Sequence, residues 1–199
     1  MSKDSPQVLV RSLLRRARPV RTVWERLGRR VVAAAGEPGA QLSLLLVGDR
    51  RMRRLNCLYR GRDSPTDVLA FPMRDARIPV TRHSSLVTSG MLGDVVISLR
   101  QAARQAKDAG RSLDHELATL LIHGTLHLLG YDHERGGREA MRMRRKERAI
   151  LRTVVPVPRL IRWVTSTTRR RGDAETRRSP FHRVAPSPRR RSPLSLTVL

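Results

Sequence analysis

The chain has 199 residues, enough for one domain with a hydrophobic core and too few for two comfortable ones. It carries 41 Lys and Arg against 17 Asp and Glu, a formal charge of +24 that is almost all arginine. No apolar run approaches the roughly 18 residues of a membrane span, and the single cysteine excludes a disulfide within the chain and points to a reducing, cytoplasmic setting. So basic a balance calls for a polyanionic partner, nucleic acid first, because the planar guanidinium fork donates paired hydrogen bonds to phosphate. The bland alternative is a solvated arginine-rich surface.

In chain order, "QVLV" (7–10) reads as a short strand, although the Arg-rich start around it also resembles an organelle transit peptide. "TVWERLGRRVVAAAG" (22–36) has apolar residues at helical spacing and a closing glycine, hence a helix. "QLSLLLV" (41–47) is a buried strand, and Asp49 is placed to cap a helix through "RRMRRLNCLYR", where Cys57 is expected to be a small buried residue. "DVLAFP" (67–72) and "MLGDVVIS" (91–98) are strands separated by a patternless loop near 73–90. A helix follows over 99–110, another over 115–130 capped by Asp114, and a last one over about 134–152. The pattern gives an α/β (α+β-like) single compact domain over 1–152, a small mixed sheet packed by helices. Residues 153–199 form a tail rich in Arg, Ser and Pro, and from about 166 onward it cannot bury enough surface to offset its ordering entropy. That tail either adds loose electrostatic affinity for RNA or does nothing.

The chemistry concentrates in "HGTLHLLGYDH" (123–133). His123 and His127 are four residues apart and share a helix face, so both rings can meet one ion. Gly130 can end the helix in the left-handed conformation and let the chain bring His133 to the same ion. Three imidazoles with an open position are the arrangement expected of catalytic zinc, one ion per chain, at the end of a central helix. Three unrelated packing histidines are the alternative, but half of the chain's six fall within these eleven residues. His83, His115 and His182 lack this context. The spacing is also that of metzincin proteases. A protease, however, needs a general base directly after the first histidine, and that position is Gly124. Asp132, Glu116 or a hydroxide on the metal remain as bases, and Asp132 serves equally as a partner orienting a ligand histidine.

The same eleven residues resemble the signature of the YbeY family, bacterial rRNA maturation factors described as metal-dependent endoribonucleases. "LNCLYRGRDSPTDVLAFP" (55–72) resembles that family's other hallmark, and "LGDVVIS" (92–98) its G-D strand, in the family's order and over roughly residues 40–150. The resemblance implies a single α/β domain and a zinc ion on His123, His127 and His133. It also implies an activity-determining arginine in the cleft, Arg60, holding a phosphate near the metal. Spacing alone would instead pair Arg60 with Asp63 or Asp67 at a helix end, and Thr66 and Asp67 either line the cleft or shape the turn into a strand, the latter favoured for Asp67.

Three functions compete on these residues. The leading one is a zinc-dependent, single-strand-preferring endoribonuclease in small-subunit rRNA 3′ end maturation and ribosome quality control, with ribosomal RNA precursor as partner, Arg60 and Asp132 as catalytic residues, and neither membrane binding nor DNA specificity. The nucleophile is either a metal-held hydroxide or the RNA 2′-OH. The second is a non-catalytic RNA-binding assembly factor with a structural metal, which a fourth protein ligand would favour. The third is a metal hydrolase on another substrate, which Gly124 and the charge argue against for peptides.

Overall fold

A computed structural model describes residues 7–73 and 90–164. The expected loop near 73–90, the tail beyond 164, and His83 and His182 lie mostly or wholly outside them. Six strands and five α-helices follow in the order β1 (Val8–Ser12), β2 (Ala17–Pro19), α1 (Arg21–Ala35), β3 (Gln41–Val47), α2 (Asp49–Arg60), β4 (Val68–Pro72), β5 (Met91–Ser98), α3 (Leu99–Asp108), α4 (Leu113–Leu128), α5 (Gly137–Val154) and β6 (Ile161–Trp163). A 3₁₀ turn, His133–Arg135, precedes α5.

The main sheet has the order β1-β3-β5-β4, with β1, β3 and β5 parallel and β4 antiparallel to β5, so the expected mixed sheet is present. Its period-2 side chains serve two faces. The row Val10, Leu44, Val95 and Ala70 is in register across all four strands and packs into the main core with α1, α3, α4 and α5. The opposite face packs Val47, Leu69 and Val96 on Met52 of α2.

Helix α4 is apolar nearly all round because it runs through the centre of the core, touching the sheet, α3 and α5. Gly124 sets how closely it approaches. A Cβ there would stand 2.7 Å from Val95 Cγ1 and 3.2 Å from Val68 Cγ2. The glycine thus brings the helix axis down onto β4 and β5, and with it the histidines on either side.

Several local expectations are corrected. Asp49 does not cap α2; Gly48 occupies that position, and the Asp49 carboxylate accepts from Ser98 Oγ at 2.8 Å and Arg104 at 2.6 Å instead. Ser112, not Asp114, caps α4, its Oγ accepting from His115 N at 3.1 Å, while Asp114 accepts from Leu160 N at 2.8 Å. Cys57 is exposed rather than buried, because Met52 and Asn56 take the inward face of α2 and leave residue 57 toward solvent. The Arg-rich start forms β1 and β2, with Val8, Val10 and Ala17 buried. Three-residue β2 pairs with β6, and both are too short for periodicity to reveal. Packing also continues past the composition change near 152: Val154, Leu160 and Ile161 are core residues, and Trp24 Nε1 donates to Leu160 O at 3.0 Å.

Gly124→Ala should destabilise the protein. The helix-propensity gain is about 1 kcal/mol, whereas overpacking against the stiff β-branched Val95 and Val68 costs about 1–3 kcal/mol. Urea unfolding measures the difference, and a variant as stable as the parent would show that α4 does not depend on this close approach.

Candidate metal centre and cleft

The ligand atoms of His123, His127 and His133 lie within 4.8 Å of one another. The first two stand one turn apart on α4. The chain then leaves the helix through Gly130 at φ 83°, the left-handed conformation expected there, and returns His133 on the 3₁₀ turn. Asp132 shapes that turn, its Oδ1 accepting from Glu134 N at 2.8 Å.

Each helical histidine is fixed from behind. His127 Nδ1 is 2.7 Å from the carbonyl oxygen of Tyr131, which can only accept, so Nδ1 carries the proton. His123 Nδ1 is 2.6 Å from Glu147 Oε1 on α5. Both Nε2 atoms therefore present lone pairs, and they face each other at 2.9 Å. Two lone pairs at that distance repel unless a cation lies between them, so this donor set fits a metal ion. The carboxylate–histidine contact is the usual support of a metal ligand.

Burial pushes the His127 imidazole down from its ordinary 6.5 to about 4, and the adjacent His123 adds to the effect. The ring is thus neutral and available as a ligand at neutral pH.

A cleft of about 260 Å³ opens beside the three histidines, lined also by Arg60, Thr66, Asp67, Gly124 and Glu134. Arg60 comes from the last turn of α2, and its Nη2 stands 3.4 Å from Glu134 Oε1. The pairing with Asp63 or Asp67 considered from spacing is not made; Asp63 binds Arg53, with Nε to Oδ1 at 2.7 Å. Asp67 does both jobs weighed for it. It lines the cleft, and its carboxylate accepts from Val68 N at 2.8 Å, Thr66 Oγ1 at 3.0 Å and Gln105 Nε2 at 2.9 Å. Glu116 is set apart: it is buried two helical turns before His123, pairs with Arg111 at 2.8 Å, and burial raises its pKa. Seven residues of helix place it about 10 Å along the axis from His123, beyond reach as a base.

Glu147 was not anticipated from the sequence, yet a signal exists. Position 147 shares the inner side of α5 with Ala140, Met143, Ile150 and Val154, and an acid among buried apolar residues calls for a partner.

A family model described as Endoribonuclease YbeY matches residues 16–155. The chain belongs to the YbeY family. An Endoribonuclease YbeY of Anaeromyxobacter sp. (strain Fw109-5) is 51% identical over 122 residues, 61% of this chain and 58% of that protein. One of Aquifex aeolicus is 39% identical over 149 residues, 75% of this chain and 92% of that protein. The solution structure of TM1509 from Thermotoga maritima shares the fold, with TM-score 0.51 and 24% identity over 75% of this chain and 88% of that one.

Two outcomes follow from the geometry. Glu147→Gln should keep the fold and weaken zinc binding about 10- to 100-fold, read by calorimetric titration; unchanged affinity would make the contact incidental. For metal-free protein, the unfolded chain protonates residue 127 at a higher pH than the folded chain does. The stability due to this neutral group is complete above about 6.5 and is lost as pH falls toward 4. The urea midpoint should drop across that window and should drop less in His127→Gln.

Proposed function

We propose that the protein is a zinc-dependent endoribonuclease that prefers single-stranded RNA and acts in the cytoplasm on ribosomal RNA precursor, in 3′ end maturation of the small-subunit RNA and in ribosome quality control. One observation carries the reading: three histidine ligands open onto a cleft that also holds an arginine. Family membership and the net charge of +24 agree with it.

Bound by His123, His127 and His133, the metal would supply Lewis-acid stabilisation of a phosphoryl oxygen and acidify a water. The remaining roles belong to the chain. Tyr131 and Glu147 hold the two helical imidazoles in the tautomer that offers Nε2. Asp132 sets the turn that presents His133, a positioning role. Arg60, with its side chain 16% exposed, directs a guanidinium into the cleft, where it would take a phosphate in place of its long contact to Glu134. Gly124 leaves the position directly after His123 without a carboxylate. A peptidase needs that carboxylate, whereas a phosphodiester would be repelled by it.

Against a non-catalytic assembly factor with a structural metal stands the open side of the centre. Among the described residues the ligand group has three members, and a structural zinc site is closed by four.

The test uses a 3′-extended small-subunit rRNA precursor. His127→Ala should lose bound zinc and cleavage together. Arg60→Ala should retain zinc and lose about 10²- to 10³-fold in cleavage rate. Full-rate cleavage by His127→Ala would reject the metal centre as the active site, and an unchanged rate in Arg60→Ala would remove that residue from the chemistry.

A further inference from the structure

Helix α5 has an outer face that the centre does not use. Arg138, Arg142, Arg145, Arg148 and Arg152 are all exposed on it. At 100° per residue they fall within roughly a third of the helix circumference, opposite the buried Ala140, Met143, Ile150 and Val154. From first to last the stripe spans about 21 Å at 1.5 Å per residue. Among the described residues, Arg142 alone of the five faces an acid in an ion pair, Glu139 at 3.8 Å.

One member of the stripe lies against the segment that joins the ligands. The Arg142 guanidinium lies over the Tyr131 ring, 5.0 Å from its centroid, and it is the Tyr131 carbonyl that fixes His127. The 3₁₀ turn bearing His133 packs against the same helix. The row of positive charge therefore runs past the segment between His127 and His133, on the side of α5 away from Glu147.

We infer that this arginine stripe is a track for the phosphate backbone of RNA flanking the cleavage point, reached by the strand as it leaves the cleft. The inference rests on the ribonuclease reading for its substrate. Spaced, unneutralised guanidinium groups match a polyanion that presents phosphates in series. An anionic membrane is the poorer fit, because an amphipathic helix binds a bilayer through its apolar face, and that face of α5 is in the core. Contacts of this kind carry no base readout, so the track holds flanking strand without choosing its sequence.

The test is the salt dependence of RNA binding by the full chain, with metal removed so that no cleavage occurs. The probe is a single-stranded oligouridylate long enough to leave the cleft. Arg138→Gln, Arg145→Gln and Arg152→Gln are combined, and a control combines Arg50→Gln, Arg54→Gln and Arg100→Gln on α2 and α3, exposed arginines removing the same charge. Each lost phosphate contact should lower the slope of log K against log salt by about 0.7. The stripe variant should lose about 2 in slope, and the control much less. Equal losses in both would reduce the stripe to net charge and overturn the inference. An unchanged slope in the stripe variant, with the parent binding normally, would reject the track and leave the ribonuclease reading intact. No binding by the parent would reject both.

Discussion

The contact between α4 and the sheet at Gly124 is the constraint on which the rest of the site depends. With no side chain at that position, Val95 and Val68 can press against the helix backbone. His123 precedes this contact and His127 follows one turn after it, so their positions are set by a helix packed in the core and not by a loop. Close-packed interiors deform little, which gives the two ligands a fixed separation before any metal arrives. His133 depends on the same helix less directly, through the glycine-terminated end and the turn that Asp132 holds.

On this rigid base, electrostatics divides the molecule. At the ligands themselves, burial keeps His127 neutral, and the position directly after His123 is a glycine. Glu147 approaches from behind, where it secures His123 without lining the cleft. Arginine lines the cleft at Arg60 and covers the outer face of α5. The neutral donor set and Arg60 are the groups that would attract an anion in a cleft that Asp67 and Glu134 also line.

Most of the architecture was legible because it follows from periodicity. The strands 41–47 and 91–98 have the bounds their apolar runs suggest, and α1, α3 and α4 end near the glycines that mark them. The three histidines could be grouped because helix pitch brings i and i+4 together, and a glycine turn is short enough to reason about. What escaped depends on contacts distant in sequence. Glu147 meets His123 only because α5 packs on α4, and Asp49 left its capping role because Ser98 and Arg104 came within reach. Cys57 looked apolar by its neighbours, yet the face of α2 that is buried is the one bearing Met52 and Asn56. The pairing of Arg60 with Glu134, across seventy-four positions, could not be found from local spacing.

The proposed function places RNA cleavage at a single metal ion on His123, His127 and His133. The most direct measurement follows cleavage of the rRNA precursor against metal content as chelated protein is titrated with zinc. The metal-free protein should not cleave, and recovery should rise in proportion to occupancy, reaching its plateau at one ion per chain. Cleavage that persists after the metal is removed, or that ignores occupancy on its return, would contradict it.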